Sequence, residues 1–363
     1  MGTRVVVAMS GGVDSSVAAA LLKEQGYEVI GLFMRTGAYA EDAERRSKTC
    51  CSVTDAVDAQ RVADRLDIAF YALDFEREFD RIKEYFADEY IAGRTPNPCV
   101  MCNIWLKFGR LWAYGKQVGA EFVATGHYAR IARAPDATLR VARAVDRIKD
   151  QSYVLFGLRP ELLPHVLFPV GDLPKSEIRT IARDRGLPVH DKAESQEICF
   201  VPDDDYLGFV RRRHPDHDSS GPIVDEEGRT LGTHEGIEGY TIGQRRGLGV
   251  AVGSPRYVVQ IEPMTRTVTI GPRGSLERPG LEAGRFNWQG PVPEGRRPCL
   301  AQIRARHLAV PATVERLEPD RTRVLFQTPQ PAVTPGQVVT LYEDGLVLGG
   351  GWIERALAEV PAD

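Results

Sequence analysis

The sequence predicts an α/β protein built on a parallel sheet and continued by smaller all-β units. Three observations carry that expectation. The first half alternates short β-branched runs with segments of helical apolar spacing. Beyond about residue 210 glycine and proline become frequent, and short strand-like runs follow one another closely. The chain has 363 residues and 40.2 kDa, more than one ordinary core holds, so two or three domains are expected.

Taken in order, residues 5–9 form an apolar first strand and 15–25 a helix stopped by Gly26. Residues 29–34 read as a second strand. Residues 55–66 carry Ala56, Ala59, Val62, Ala63 and Leu66 at helical spacing, and 68–73 give a third strand. A long amphipathic helix over 79–91 precedes a short strand over 122–124, which ends at Thr125-Gly126-His127-Tyr128. A helix over 175–185 is stopped by Gly186 and Pro188. Strands alternating with helices imply a parallel sheet covered on both faces, with ligands at the carboxyl ends of its strands. Ser10–Ser16, Met34 and Gly126-His127 all fall there. Later strands are expected over 257–261, 267–270, 299–305, 313–317, 322–326, 337–341 and 346–349, as a sandwich or barrel. Boundaries near 210 and 280, the second at Glu277-Arg278-Pro279-Gly280, divide the chain into 1–210, 211–280 and 281–363.

Composition excludes several classes. Hydrophobic content of 43% and charged content of 26% describe a soluble globular protein. No run approaches the roughly 18 apolar residues of a membrane helix. The N-terminus passes directly into a strand without a signal peptide, so a reducing cytoplasm is expected. Six cysteines then read as thiols, catalytic groups or ligands rather than disulfides. A net charge of −4 and a pI near 6.1 argue against indiscriminate nucleic-acid binding, DNA included. They leave room for a structured RNA met by a local basic face. Arg211-Arg212-Arg213, Arg245-Arg246 and Arg304/Arg306, each taken alone, read as solvated surface.

The most informative stretch is Ser10-Gly11-Gly12-Val13-Asp14-Ser15-Ser16, placed between the first strand and the first helix. Such a loop aims backbone N–H groups and the positive end of a helix at an anion, usually a phosphate. It lacks the lysine of the common P-loop and carries Asp14 instead. An acidic group beside phosphates makes sense if it holds Mg²⁺ or if the departing anion is a whole pyrophosphate. The pattern resembles the PP-loop of ATP pyrophosphatases, which cleave ATP between the α- and β-phosphates.

Cys99-Val100-Met101-Cys102 follows Thr95-Pro96-Asn97-Pro98, and two prolines with an asparagine predict a loop. A C-x-x-C pair suits redox work or half of a metal site. Zinc would want a second pair at ligand spacing, which is missing. A three-thiolate iron–sulfur site on Cys99, Cys102 and Cys199 stays open. Cys199, between Ile198 and Phe200, reads by composition as a buried filler. Cys50, Cys51 and Cys299 are taken as filler too.

Together these pieces resemble the tRNA-specific 2-thiouridylase family nearly end to end. The resemblance rests on Ser10–Ser16, Thr95–Asn103, Ala124–Tyr128, Lys149–Tyr153, Glu194-Ser195-Gln196 and Ile198-Cys199-Phe200. It continues through Tyr240–Arg245, Val333–Gln337 and Leu348–Gly351. It implies a Rossmann-like PP-loop domain (adenine nucleotide α-hydrolase-like), a small central domain and a C-terminal β-barrel. It implies an ATP site on Ala8, Met9, Ser10, Gly11, Gly12, Val13, Asp14 and Ser15, with Met34 and Gly126 at the nucleoside end, and Mg²⁺ with Asp14 as the candidate ligand. Cys102 aligns with the family's nucleophile, and Cys199 with the cysteine that carries a persulfide. Either the terminal persulfide sulfur attacks C2 of the target uracil and Cys102 cleaves the S–S bond, or Cys102 first releases sulfide for the attack, and both routes end in a transient Cys102–Cys199 disulfide. Asn97, Pro98 and Cys99 should meet the target base, and His127, Lys149, Asp150, Gln151, Arg304, Ala305 and Gln337 should contact tRNA. The implied reaction adenylates the C2 oxygen of a wobble uridine and replaces it with sulfur, with a persulfide carrier or desulfurase protein as donor. Three rivals remain: an iron–sulfur-dependent thiolase using the three cysteines, a PP-loop ligase acting on a small molecule, and a non-catalytic tRNA-binding or sulfur-relay scaffold.

Overall fold

The computed structural model describes residues 2–37, 53–193, 198–201, 205–250 and 253–361. Cys50, Cys51 and the motif Glu194-Ser195-Gln196 lie outside them. The parallel-sheet half opens with β1 (Arg4–Ala8), α1 (Val13–Glu24), β2 (Glu28–Arg35), α2 (Val53–Leu66), β3 (Ala69–Asp74) and α3 (Glu76–Ile91). It continues through β4 (Phe122–Thr125), β5 (Ala129–Arg133), β6 (Leu139–Arg143), β7 (Val166–Leu167) and, further on, two helices (Lys175–Asp184 and Tyr206–Arg213). Five strands make an all-parallel sheet in the order β3-β2-β1-β4-β7. The order reverses between β1 and β4, and a crevice at such a switch point is where open α/β sheets bind ligands. Val5, Val6 and Val7 are wholly buried, as expected of a strand covered on both faces.

One sequence expectation is corrected here. Cys99 and Cys102 lie on a helix, not on a loop. The run consists of α4 (Pro98–Met101), a π-helical stretch (Cys102–Leu111) and α5 (Trp112–Gln117). Asn97 caps it, its side-chain oxygen accepting from Val100 N at 3.3 Å, and Pro98 takes the first helical position, where its missing N–H costs nothing. The residues read as turn formers are the start signals of a helix. The two later helices of this half are α6 (Lys175–Asp184) and α7 (Tyr206–Arg213).

Past α7, β8 (Gly221–Val224), β9 (Thr230–His234), β10 (Tyr257–Glu262) and β11 (Thr267–Gly271) form a four-stranded sheet in the order β10-β11-β8-β9. Six strands then close on themselves: β12 (Glu277–Trp288), β13 (Arg297–Gln302), β14 (Val310–Glu318), β15 (Arg321–Pro331), β16 (Val338–Glu343) and β17 (Leu346–Leu357). The β12–β17 pairing completes the barrel. Glu277-Arg278-Pro279-Gly280, expected to punctuate the chain, is the first stretch of β12. A register shift between Arg278 and Gly280 accommodates the proline. The expected strand over 299–305 ends at Gln302, which leaves Arg304 and Ala305 in a turn. The hairpin of β5 and β6 leaves the parallel-sheet half to extend the barrel sheet through β6–β17. Among the described residues no helix is long and apolar enough to cross a membrane.

Candidate nucleotide and sulfur-transfer site

The loop after β1 is fixed by its own small residues. Ser10 N donates to Ser15 Oγ at 3.1 Å, and Ser16 Oγ donates to the Gly12 carbonyl at 2.7 Å. Gly11 has φ +70°, and a Cβ there would stand 2.2 Å from the Asp55 carbonyl oxygen, so only glycine fits. Lys192 reaches the outer side of this turn, donating to Gly11 O at 3.0 Å, Asp55 Oδ1 at 2.6 Å and Asp58 Oδ2 at 2.7 Å. Burial works against the Lys192 ammonium, but its bonds to the two carboxylates outweigh it and hold the pKa above the usual lysine value. At the end of β4, Gly126 lies against the start of α1: a Cβ there would be 2.5 Å from Ser15 N.

Asp14 is not a bare carboxylate. Its Oδ1 accepts from Tyr128 Oη at 2.7 Å and from Lys175 Nζ at 2.6 Å, the lysine being the first residue of α6. Among the described residues lining the cavity beside it, Asp14 is the single carboxylate. Among the described residues no group of three His, Cys, Asp or Glu side chains is placed to hold a metal. The donor set around Asp14 does not fit a resident Mg²⁺, which prefers several oxygen ligands in octahedral geometry. Among the described residues the cysteines likewise do not gather into a three-ligand centre.

One cavity of about 340 Å³ joins the loop to the cysteines. Ala8, Met9, Ser10, Asp14, Ser15, Met34 and Gly126 line its nucleotide side, and Pro98, Cys99, Cys102, His127, Gln151 and Cys199 line the rest. Cys99 is exposed, whereas Cys102 and Cys199 are partly buried. Cys299 stands apart in β13, and burial pushes its thiol up to about 12, which makes it unreactive at neutral pH.

The remaining expected contacts fall into distinct settings. Asn97 serves as the helix cap described above. His127 is 8% exposed; its Nδ1 lies 2.6 Å from Thr125 Oγ1 and its Nε2 3.4 Å from Lys107 Nζ. Burial, with the Lys107 ammonium facing it, holds His127 well below the ordinary histidine pKa, so the ring is neutral. Asp150 accepts from Ala144 N and from Ser152, and Gln151 Oε1 accepts from Tyr128 N at 3.0 Å. Lys149 N donates to Asp146 in the same turn. Gln337, just before β16, donates to the carbonyls of Thr95 and Pro96 at 3.0 and 3.1 Å. It thus fixes the segment that leads into Asn97-Pro98-Cys99. The carbonyls of Arg304 and Ala305 accept from Gln302. Sequence reasoning missed Lys107, Lys175 and Lys192. Lysines on helices and loops carry no pattern until the fold brings them to the loop.

A parallel sheet with a glycine–serine loop at its switch point, and three cysteines in the adjoining cavity, defines a PP-loop enzyme of the adenine nucleotide α-hydrolase type. Three family models match consecutive parts of the chain. They are described as a tRNA methyl transferase HUP domain (residues 3–203), a tRNA methyl transferase PRC-barrel domain (208–272) and an aminomethyltransferase beta-barrel domain (278–353). The tRNA-specific 2-thiouridylase MnmA of Geotalea uraniireducens is 48% identical over 359 residues, covering 98% of this chain and 96% of that one. Its counterpart in Carboxydothermus hydrogenoformans is 47% identical over 359 residues, covering 98% of both chains. That of Rhodopirellula baltica is 45% identical over 391 residues, covering 99% of this chain and 98% of that one. The chain belongs to the tRNA-specific 2-thiouridylase family.

Proposed function

We propose that this protein 2-thiolates the wobble uridine of tRNA at the expense of ATP, in a reducing cytoplasm. The observation that carries the reading is the single cavity shared by the Ser10–Ser16 loop, Cys102 and Cys199. Neither a small-molecule ligase nor a non-catalytic tRNA-binding scaffold has a use for both cysteines beside the nucleotide loop.

A uracil C2 carbonyl does not expel its oxygen as hydroxide at a useful rate. Attack of that oxygen on the α-phosphorus of ATP forms a C2–O–AMP linkage and releases pyrophosphate, whose charge the loop N–H groups receive. Magnesium travels with the ATP phosphates. Sulfur arrives as a persulfide on Cys199, loaded by a carrier or desulfurase protein. Its terminal sulfur bonds to C2, and the C2–O bond breaks with its electron pair leaving on AMP. The Cys102 thiolate then attacks the Cys199 sulfur, and the S–S electron pair passes to the sulfur on C2, completing the thiocarbonyl. The Cys102–Cys199 disulfide so formed returns to two thiols by exchange with a cellular dithiol.

The decisive measurement is nucleoside mass spectrometry of tRNA incubated with ATP, a persulfide donor and either Cys102→Ser or Cys199→Ser. Each variant should make no 2-thiouridine while still releasing pyrophosphate in a tRNA-dependent manner. Full thiolation by either variant overturns the two-cysteine scheme.

A further inference from the structure

Lys107 lines the cavity that holds the phosphate loop and the cysteines. Among the described residues lining that cavity it is the only lysine or arginine. Its place there depends on an unusual winding. Lys107 is five residues beyond Cys102, and in an α-helix residues five apart point roughly 140° away from each other. In the π-helical stretch Cys102–Leu111 the wider winding brings residues five apart to within about 50° of each other, so Cys102 and Lys107 look into the same space.

The head group is also held. Lys107 Nζ lies 3.4 Å from Nε2 of His127, whose Nδ1 lies 2.6 Å from Thr125 Oγ1. A neutral His127 donates from Nδ1 to Thr125 and accepts at Nε2 from the ammonium. The residue before it, Gly126, packs directly on the N-terminal turn of α1, within van der Waals reach of Ser15 N. The ammonium therefore faces the cavity that the phosphate loop and Cys102 share.

We propose that Lys107 is a catalytic residue that binds the α-phosphate and takes up the negative charge of the departing AMP. The proposal rests on the 2-thiouridylase reading above. When sulfur displaces the C2 oxygen, the electron pair of the C2–O bond leaves on AMP, which gains one negative charge and needs no proton. A fixed ammonium at the α-phosphate stabilises that charge with little reorganisation. The loop N–H groups serve the pyrophosphate, and Lys107 serves the half of the nucleotide that stays behind.

The test compares Lys107→Met and Lys107→Arg by calorimetric titration of AMP and, separately, of pyrophosphate, into protein with tRNA bound. The methionine variant should bind AMP at least tenfold more weakly and pyrophosphate as wild type does. Arginine should recover most of the AMP affinity. The 2-thiouridine rate of the methionine variant should fall by about 10²-fold, the scale set by loss of one charge-stabilising donor. AMP affinity within twofold of wild type in Lys107→Met overturns the proposal. So does equal loss of AMP and pyrophosphate binding, which marks a collapsed site. AMP binding is read without thiolation, so a wild-type enzyme that made no 2-thiouridine would count against the function alone.

Discussion

At the scale of single residues, Asp14 is defined by its partners. A carboxylate facing a triphosphate is repulsive unless a cation shares it, and Lys175 supplies one at 2.6 Å while Tyr128 donates to the same oxygen. Lys175 is 12% exposed and Asp14 31%, so solvent screens the pair only in part. Lys175→Met therefore leaves an uncompensated negative charge next to the ATP phosphates and should raise the KM for ATP about tenfold, equivalent to about 1.4 kcal/mol. Adding Asp14→Asn to that variant should recover part of the loss, because the stranded charge goes with it. Steady-state pyrophosphate release with tRNA measures both. A double variant worse than Lys175→Met by the full cost of Asp14→Asn would show that the two side chains act independently.

At the scale of elements, the phosphate loop is braced from outside by the segment that leads toward Cys199. Lys192 ties Gly11 to α2 through Asp55 and Asp58, and Arg179 of α6 donates to the carbonyls of His190 and Lys192 at 3.2 Å. Asp55 is 5% exposed, so losing its cation is costly. Lys192→Met should lower stability to urea by about 2 kcal/mol, less than for a fully buried pair because Lys192 itself keeps contact with water. Lys192→Met combined with Asp55→Asn should cost clearly less than the two single losses added; simple additivity would argue against the brace. The strand–loop–helix around Ser10–Ser16 was legible in the sequence because β-branched residues and glycines act locally. The helix carrying Cys99 and Cys102 was not, because proline and asparagine serve turns and helix starts alike, and only the Asn97 cap decides between them. The strand expected over 346–349 runs on to Leu357 as β17. A Cβ at Gly350 would lie 2.6 Å from the Phe156 ring and one at Gly351 2.7 Å from the Gly284 carbonyl, so these glycines let β17 run on in close contact with its neighbours. The cysteine pair and the nucleotide loop were visible as motifs. The lysines that join them were not, since Lys107 reaches the cavity only through π-helical winding.

At the scale of the whole molecule, the barrel is part of the catalytic half rather than an appendage. Val338, Tyr342, Val347 and Trp352 of β16 and β17 belong to the same buried cluster as Val6, Phe86 and Leu106 of the parallel-sheet half. Polar groups seal the join. Gln289, 3% exposed, donates to the carbonyls of Leu155, Phe156 and Leu158 and accepts from Val141 N at 2.9 Å. Tyr153 Oη donates to Val338 O at 2.9 Å and Thr340 Oγ1 to Tyr153 O at 2.8 Å, both buried. A core shared in this way cannot lose one side without exposing the other, so the parallel-sheet half and the barrel should unfold together. Scanning calorimetry should resolve no separate transition for the barrel, whatever the four-stranded middle sheet does on its own. Gln289→Leu tests the coupling. It strands the buried Val141 N–H, at a cost of about 1–3 kcal/mol where no water replaces the partner, and takes one donor from the carbonyls of Leu155, Phe156 and Leu158, which keep bonds from Leu158 N and Asn287 Nδ2. Its Tm should fall by several degrees with the transition still single. A barrel that melted apart from the parallel-sheet half in the wild type would refute the shared core. The same coupling bears on the chemistry, because Gln337 of this rigid body holds the Thr95 and Pro96 carbonyls ahead of the cysteine helix. Gln337→Ala should therefore weaken thiolation while leaving the Tm nearly unchanged, the opposite pattern to Gln289→Leu.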